Sequence, residues 1–153
     1  RYLDSVFDIM LNFVFLMTIC FVSETRLSYT VLAFLCVQLQ GTLYNYYYVI
    51  LRHKSVGGDV TSQIFEQHAP TAFPNESQTS VNILFRLYML CYAPFDKTIY
   101  FLDHDAVKVT TFPNWFMTCV SMYGLGFQLL IIAIMLPLHL MDYIVPFFIF
   151  YIL

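Results

Sequence analysis

The chain has 153 residues and is 59% hydrophobic and 19% aromatic, yet only 11% charged, less than half the roughly one-quarter of an average soluble domain. Seven basic against ten acidic residues give a net charge of −3, which excludes the basic footprint of a nucleic-acid binder and the high charge of disordered or coiled-coil chains. A soluble fold of this size could not hide so much apolar surface, so an all-α integral membrane protein is expected, with lipid solvating part of it.

Charge is unevenly placed. Eleven of the seventeen charged residues lie between Arg52 and Lys108, between two greasy thirds. The chain opens on Arg1 without a secretory-signal pattern, so processing of a longer precursor is expected. Residues 9–22 form a first apolar segment, slightly short for a span, preceded by Asp4 and Asp8, which would sit at the interface. Ser23–Arg26 reads as a tight polar turn. Residues 27–51 then run 25 positions without charge, enough to span, so 9–51 is expected to be a transmembrane hairpin. Tyr44, Tyr46, Tyr47 and Tyr48 fit an interfacial aromatic belt, and Arg52-His53-Lys54 places that end on the matrix or cytoplasmic side.

Residues 52–77 read as a polar loop, with Gly57-Gly58, Pro70 and Pro74, and a helical turn near Ile64–Gln67. Asn75-Glu76-Ser77 is a formal glycosylation sequon whose three-residue pattern is common by chance. Residues 78–102 have helical character but contain Arg86, Asp96 and Lys97, with Pro94 inside. Residues 109–141 run 33 positions without Asp, Glu, Lys or Arg. A straight helix of that length would measure about 50 Å, longer than a bilayer core, so it must tilt strongly or break, with Pro137 the natural kink. The segment 143–153 is an apolar tail too short to span alone. The expected architecture is therefore a helical hairpin plus two long, strongly tilted membrane helices in one membrane domain, residues 78–142 forming the tilted pair.

The four cysteines, Cys20, Cys36, Cys91 and Cys119, are far apart in apolar runs, which points to buried thiols rather than a metal site or a disulfide framework. No nucleophile–base pair, phosphate loop or metal cluster supports a soluble enzyme, and Asp103-His104-Asp105 reads as a solvated acidic turn.

Two polar stripes remain. On a helix over 78–102, Gln78, Thr79, Asn82 and Arg86 share a face that turns apolar through Leu90 and Ala93. One reading is an amphipathic surface helix with a snorkelling arginine. The other is an arginine inside the membrane, where a charge costs about 3 kcal/mol or more and marks function. On a continuous helix over 109–141 and beyond, Ser121, Gln128, His139 and Asp142 would lie within about 60° of one another. Such a stripe lines a hydrated path, or bonds a neighbour and caps the exit from the membrane.

Here the sequence resembles subunit a of the F-type ATP synthases. Arg86-Leu87-Tyr88 with Tyr92-Ala93 is similar to that family's arginine motif, and the 42-residue gap from Arg86 to Gln128 is similar to its arginine-to-glutamine spacing. Pro113-Asn114-Trp115 falls where the family has a turn between its two long helices. Phe127-Gln128 through Leu138-His139-Leu140-Met141-Asp142 resembles its closing helix. Leu27-Ser28, Gly41-Thr42 and Arg52 resemble the preceding helix, and Pro70 and Pro74 the proline-bearing loop. The departures are Leu90 where the family commonly has Asn, Ser121 where it often has a carboxylate or histidine, and Phe95, beside Asp96, where it has Glu.

The resemblance implies proton translocation beside a rotating c-ring, with no catalytic chemistry of the subunit's own and no cofactor or metal. It implies Arg86 as the charge facing a ring carboxylate and Gln128 as the residue that orients it. Asp142, His139, Glu76, Asp96, Asn82 and Ser121 become candidates for the proton half-channels. The implied partners are the c-ring, the peripheral stalk, other Fo subunits and membrane lipid, with no nucleic acid. The high Phe and Tyr content and the divergence favour a mitochondrial inner membrane, with a bacterial or plastid coupling membrane as alternatives. The rival expectation is a structural accessory subunit of a mitochondrial inner-membrane complex, whose buried polar groups only hold helices together. A small channel or transporter is a third, but no internal repeat supports it.

Overall fold

In the computed structural model, residues 2–55, 68–73, 76–109 and 111–151 are described, and they are all-helical. Six α-helices follow in chain order: α1 (Tyr2–Val22), α2 (Leu27–Ser55), α3 (Gln78–Leu102), α4 (Asn114–Ser121), α5 (Leu125–Met135) and α6 (Met141–Phe150). A short 3₁₀ helix, His104–Lys108, links α3 towards α4. The expected turn near Ile64–Gln67, Gly57-Gly58, Pro74 and Asn75 of the sequon lie outside the described residues.

By length and composition, α1 and residues Leu27–Arg52 of α2 can each cross a membrane. α1 starts at Tyr2, ahead of the apolar segment, so Asp4 and Asp8 are inside the helix. It stops where side chains take over its terminal carbonyls. Ser23 Oγ and Ser23 N–H both donate to Ile19 O, at 2.7 and 2.8 Å, while Cys20 Sγ donates to Thr25 O. Glu24 takes a left-handed φ of 51° to turn the corner, a conformation that ends rather than continues a helix.

α2 is the central mast, packed against α1, α3, α4 and α6. One apolar cluster joins Leu16 and Ile19 of α1, Ala33 and Val37 of α2, Ile132 and Met135 of α5, and Ile144, Val145 and Phe148 of α6. Ala33 is fully buried there; a side chain this small lets neighbouring helices approach closely. A second cluster gathers Tyr46, Tyr47 and Ile50 of α2 around Ile99, Ala106 and Val120.

Three parts of the expected architecture gain detail here. Residues 109–141 do not form one long helix: α4 and α5 meet at a 52° bend. The last turn of α4 tightens through Met122, Tyr123 and Gly124 N–H groups bonded three residues back, and α5 restarts with Gly124 as an extended cap. A methyl group at Gly124 would stand 3.1 Å from the Ser121 carbonyl and 3.3 Å from the Tyr44 ring, so the corner is built for close approach. α5 then ends at Met135. Pro137 has no N–H to continue it, and His139 adopts a φ of 57°.

The apolar tail, too short to span alone, is the second. It folds into α6, whose Ile144, Val145 and Phe148 are core residues packed on α1 and α2. The third concerns the tyrosines. Tyr46 and Tyr47 are buried against the 3₁₀ helix and α4, leaving Tyr48 exposed. Tyr47 Oη donates to Asp103 Oδ2 at 2.6 Å and Tyr46 Oη to Asp103 O at 3.1 Å. Asp103 in turn caps the 3₁₀ helix by accepting from Ala106 N–H. Among the cysteines, Cys20 is buried, whereas Cys119 is exposed.

Candidate functional site

The polar face of α3 begins at its first turn. Gln78 Oε1 accepts from Ala72 N–H at 2.8 Å, and Gln78 Nε2 donates to Pro70 O at 3.1 Å and Asn82 Oδ1 at 2.9 Å. That amide ties the proline-bearing segment to the start of the helix. One turn beyond Asn82, Arg86 is exposed and has no hydrogen bond or ion pair among the described residues. Leu90, on the same face, is 75% exposed. Tyr88 and Tyr92 lie about 200° and 240° round the helix from Arg86, on the side packed against the bundle, where Tyr92 Oη donates to Ser5 O at 3.0 Å.

Gln128 is not beside Arg86. It is 2% exposed, and its Nε2 donates to Val37 O at 3.2 Å and to Gln40 Oε1 at 3.0 Å, both on α2. Gln40, fully buried, passes the relay on by donating from Nε2 to Phe148 O at 3.2 Å. Phe148 lies in the last turn of α6, where carbonyls lack intrahelical partners, so the side chain of α2 satisfies it. Within this chain the Gln128 amide is engaged with α2. α5 follows the bend at Gly124 and packs on α6.

The same bend breaks the predicted stripe. Ser121 is exposed at the end of α4, its Oγ donating to Thr118 O at 2.7 Å. His139 is exposed in the turn after α5, and Asp142 is exposed in the first turn of α6. Glu76 is exposed ahead of α3, and Asp96 is half-buried near its C-terminal end. Of the half-channel candidates, only Asn82 has a side-chain partner on the Arg86 face, Gln78.

A polar cavity of about 260 Å³ lies between α1, α2, α3 and α5, and the residue-by-residue reading missed it. Asp8 and Asn12 line it from α1, Gln38, Thr42 and Asn45 from α2, and Tyr92 from α3. The signal was present: Ser5, Asp8 and Asn12 at i, i+3 and i+7, and Gln38, Thr42 and Asn45 at i, i+4 and i+7, each mark one face of a helix. Gln38 is 5% exposed, and its Nε2 has no hydrogen-bond partner among the described residues.

At the far end of α3, Asp105 pairs with Lys108 at 2.7 Å and lies 3.6 Å from His104. The Lys108 ammonium holds the Asp105 carboxyl below its ordinary range, and Asp105 in return holds Lys108 above its own. No cluster of metal-binding side chains occurs among the described residues. In comparison with known proteins, no family model, no curated protein and no solved structure matches the chain.

Proposed function

We propose that the chain is an integral, multi-pass proton-translocating subunit of the type it resembles, subunit a of an F-type ATP synthase, set in a mitochondrial inner membrane. Arg86 is the working charge in this reading. The observation that carries it is the position of Arg86, in the first half of a 25-residue helix, turned away from the bundle with no acceptor of its own among the described residues. An arginine held in lipid without a counter-charge costs about 3 kcal/mol or more, and a carboxylate on a neighbouring ring offsets that cost. Arginine suits the task because guanidinium keeps its proton when partly desolvated, whereas lysine can lose its own. It would displace the proton from each passing ring carboxyl and bar direct leakage between the half-channels. Asp142, His139, Glu76, Asp96, Asn82 and Ser121 remain the candidates for lining those channels.

The test is ATP-driven proton pumping in the assembled complex. Arg86→Lys and Arg86→Gln are expected to reduce pumping to background with assembly intact. Retained pumping in either variant sinks the assignment.

The Gln128–Gln40–Phe148 relay favours a second reading, a structural accessory subunit whose polar groups serve as interhelical bonds. Leu90→Cys separates the two readings. Its cross-link should reach a ring helix in the first and a static neighbour or lipid in the second.

A further inference from the structure

We propose that the groove where α2, the 3₁₀ helix and the start of α4 meet binds the choline headgroup of a phosphatidylcholine lipid. The groove, of about 270 Å³, is lined by Tyr47, Phe112, Trp115 and Phe116 together with Asp103 and Asp105. The Tyr47 ring stands at 86° to Phe112 and 88° to Phe116, with centroids 5.5 and 5.0 Å apart, and Trp115 stands at 89° to Phe116. Rings set at right angles make a corner rather than a flat stack. Trp115 remains 69% exposed, so the ring type that attracts cations best still has area to offer.

Charge and hydrogen bonding select the occupant. A cation is drawn to aromatic faces and to carboxylates alike, whereas an anionic headgroup is repelled by the carboxylates. Lys108 neutralises Asp105 at 2.7 Å, which leaves Asp103 as the net charge, and no basic side chain is among the described residues that line the groove. Both Asp103 oxygens already accept a bond, Oδ2 from Tyr47 Oη and Oδ1 from Ala106 N–H. That carboxylate therefore offers charge more than a free acceptor. A primary ammonium has three N–H donors that need acceptors once its water is lost. A quaternary one has none, and its methyl groups pack on the rings.

Depth and rim favour a lipid over a dissolved amine. Tyr47 comes five residues before Arg52, where the membrane-compatible stretch of α2 ends, a distance of about 8 Å along the helix. That is the depth of the headgroup region. Phe101 and Leu102, exposed just before Asp103, give acyl chains apolar surface. Lys108 Nζ, held at the rim through Asp105, keeps donors to spare for the phosphate that a phosphocholine carries beside its ammonium. The proposal needs the chain to lie in a membrane and makes no use of Arg86.

Trp115 is the single tryptophan of the chain, so its fluorescence reports on the groove directly. The full chain in maltoside micelles is titrated with phosphatidylcholine, phosphatidylethanolamine and phosphatidylglycerol of identical acyl chains, and with soluble phosphocholine. Phosphatidylcholine should give a saturable change, with half-saturation at least about tenfold below that of phosphatidylglycerol and below those of the other two probes. No saturable change, or an equal or tighter response to any of the other three, overturns the proposal.

Asp105→Lys puts an ammonium into the wall, beside that of Lys108, at a site too exposed to be needed for folding. It should raise the half-saturation for phosphatidylcholine by about tenfold, and an unchanged value also overturns the proposal. Arg86→Gln should lose pumping yet leave the lipid titration as it is in the parent, so failure of either idea leaves the other standing.

Discussion

Gln38 and Gln40 are two residues apart on α2 and about 200° apart around it, and their surroundings differ completely. Gln40 lies in a saturated relay, accepting from Gln128 and donating to the Phe148 carbonyl. Gln38 belongs to the cavity wall, but its Nε2 is sealed and has no hydrogen-bond partner among the described residues. The first arrangement fixes three helices in one packing. The second leaves one donor of α2 unpaired. Burial alone does not separate the two, since both side chains are almost fully enclosed.

Substitutions can break or sharpen this contrast. The largest effect is expected for Gln40→Leu, which strips the Phe148 carbonyl and one bond of Gln128. It should lower stability to denaturing detergent by about 1–3 kcal/mol, towards the low end in a bilayer. Adding Gln128→Leu should then cost less than it does alone, a coupling that a double-mutant cycle reads.

Tyr47→Phe extends the comparison to another satisfied pair. It removes the short bond to Asp103, and a loss of about 1–2 kcal/mol is expected in the same assay. Gln38→Leu should change stability by less than about 1 kcal/mol, because it has no protein partner to strand. A cost equal to that of Gln40→Leu would erase the contrast.

The smallest effect is expected for Asp105→Asn, at a fully exposed pair. Because Lys108 lowers the Asp105 carboxyl from its ordinary value of 3.8, any stabilisation is present above that value. It fades as pH falls through the depressed folded value. Thermal melts of the variant and parent should therefore differ only on the neutral side and converge in acid.

Much of the helical framework was readable from local pattern. The charge-free run 27–51 and the polar turn before it mark α2 and its start, and the helical character of 78–102 survives Pro94 because only one backbone bond is lost there. A break in 109–141 follows from its length, but its place at Gly124 does not: an added methyl there would meet the local Ser121 carbonyl and also the ring of Tyr44, eighty residues earlier. Hydropathy also treated Gln38, Gln40, Thr42 and Asn45 as a uniform span, although the polar atoms face two different neighbours. Arg86 stood out because a charge among apolar residues is visible without knowing the fold. The pairing of Gln128 depends on which helix lies opposite, and spacing along one chain does not contain that information.

The bond from Gln40 to Phe148 joins residues 108 positions apart, and it has a consequence in time. A ribosome finishes α2 long before it makes α6. During that interval Gln40 has neither its acceptor on α6 nor its donor on α5. The core that α1 and α2 share with α6 is therefore completed only once α6 has been made. Removing α6 should strand Gln40 and open the core cluster it shares with α1 and α2, so a chain lacking α6 is expected to be less stable than the parent.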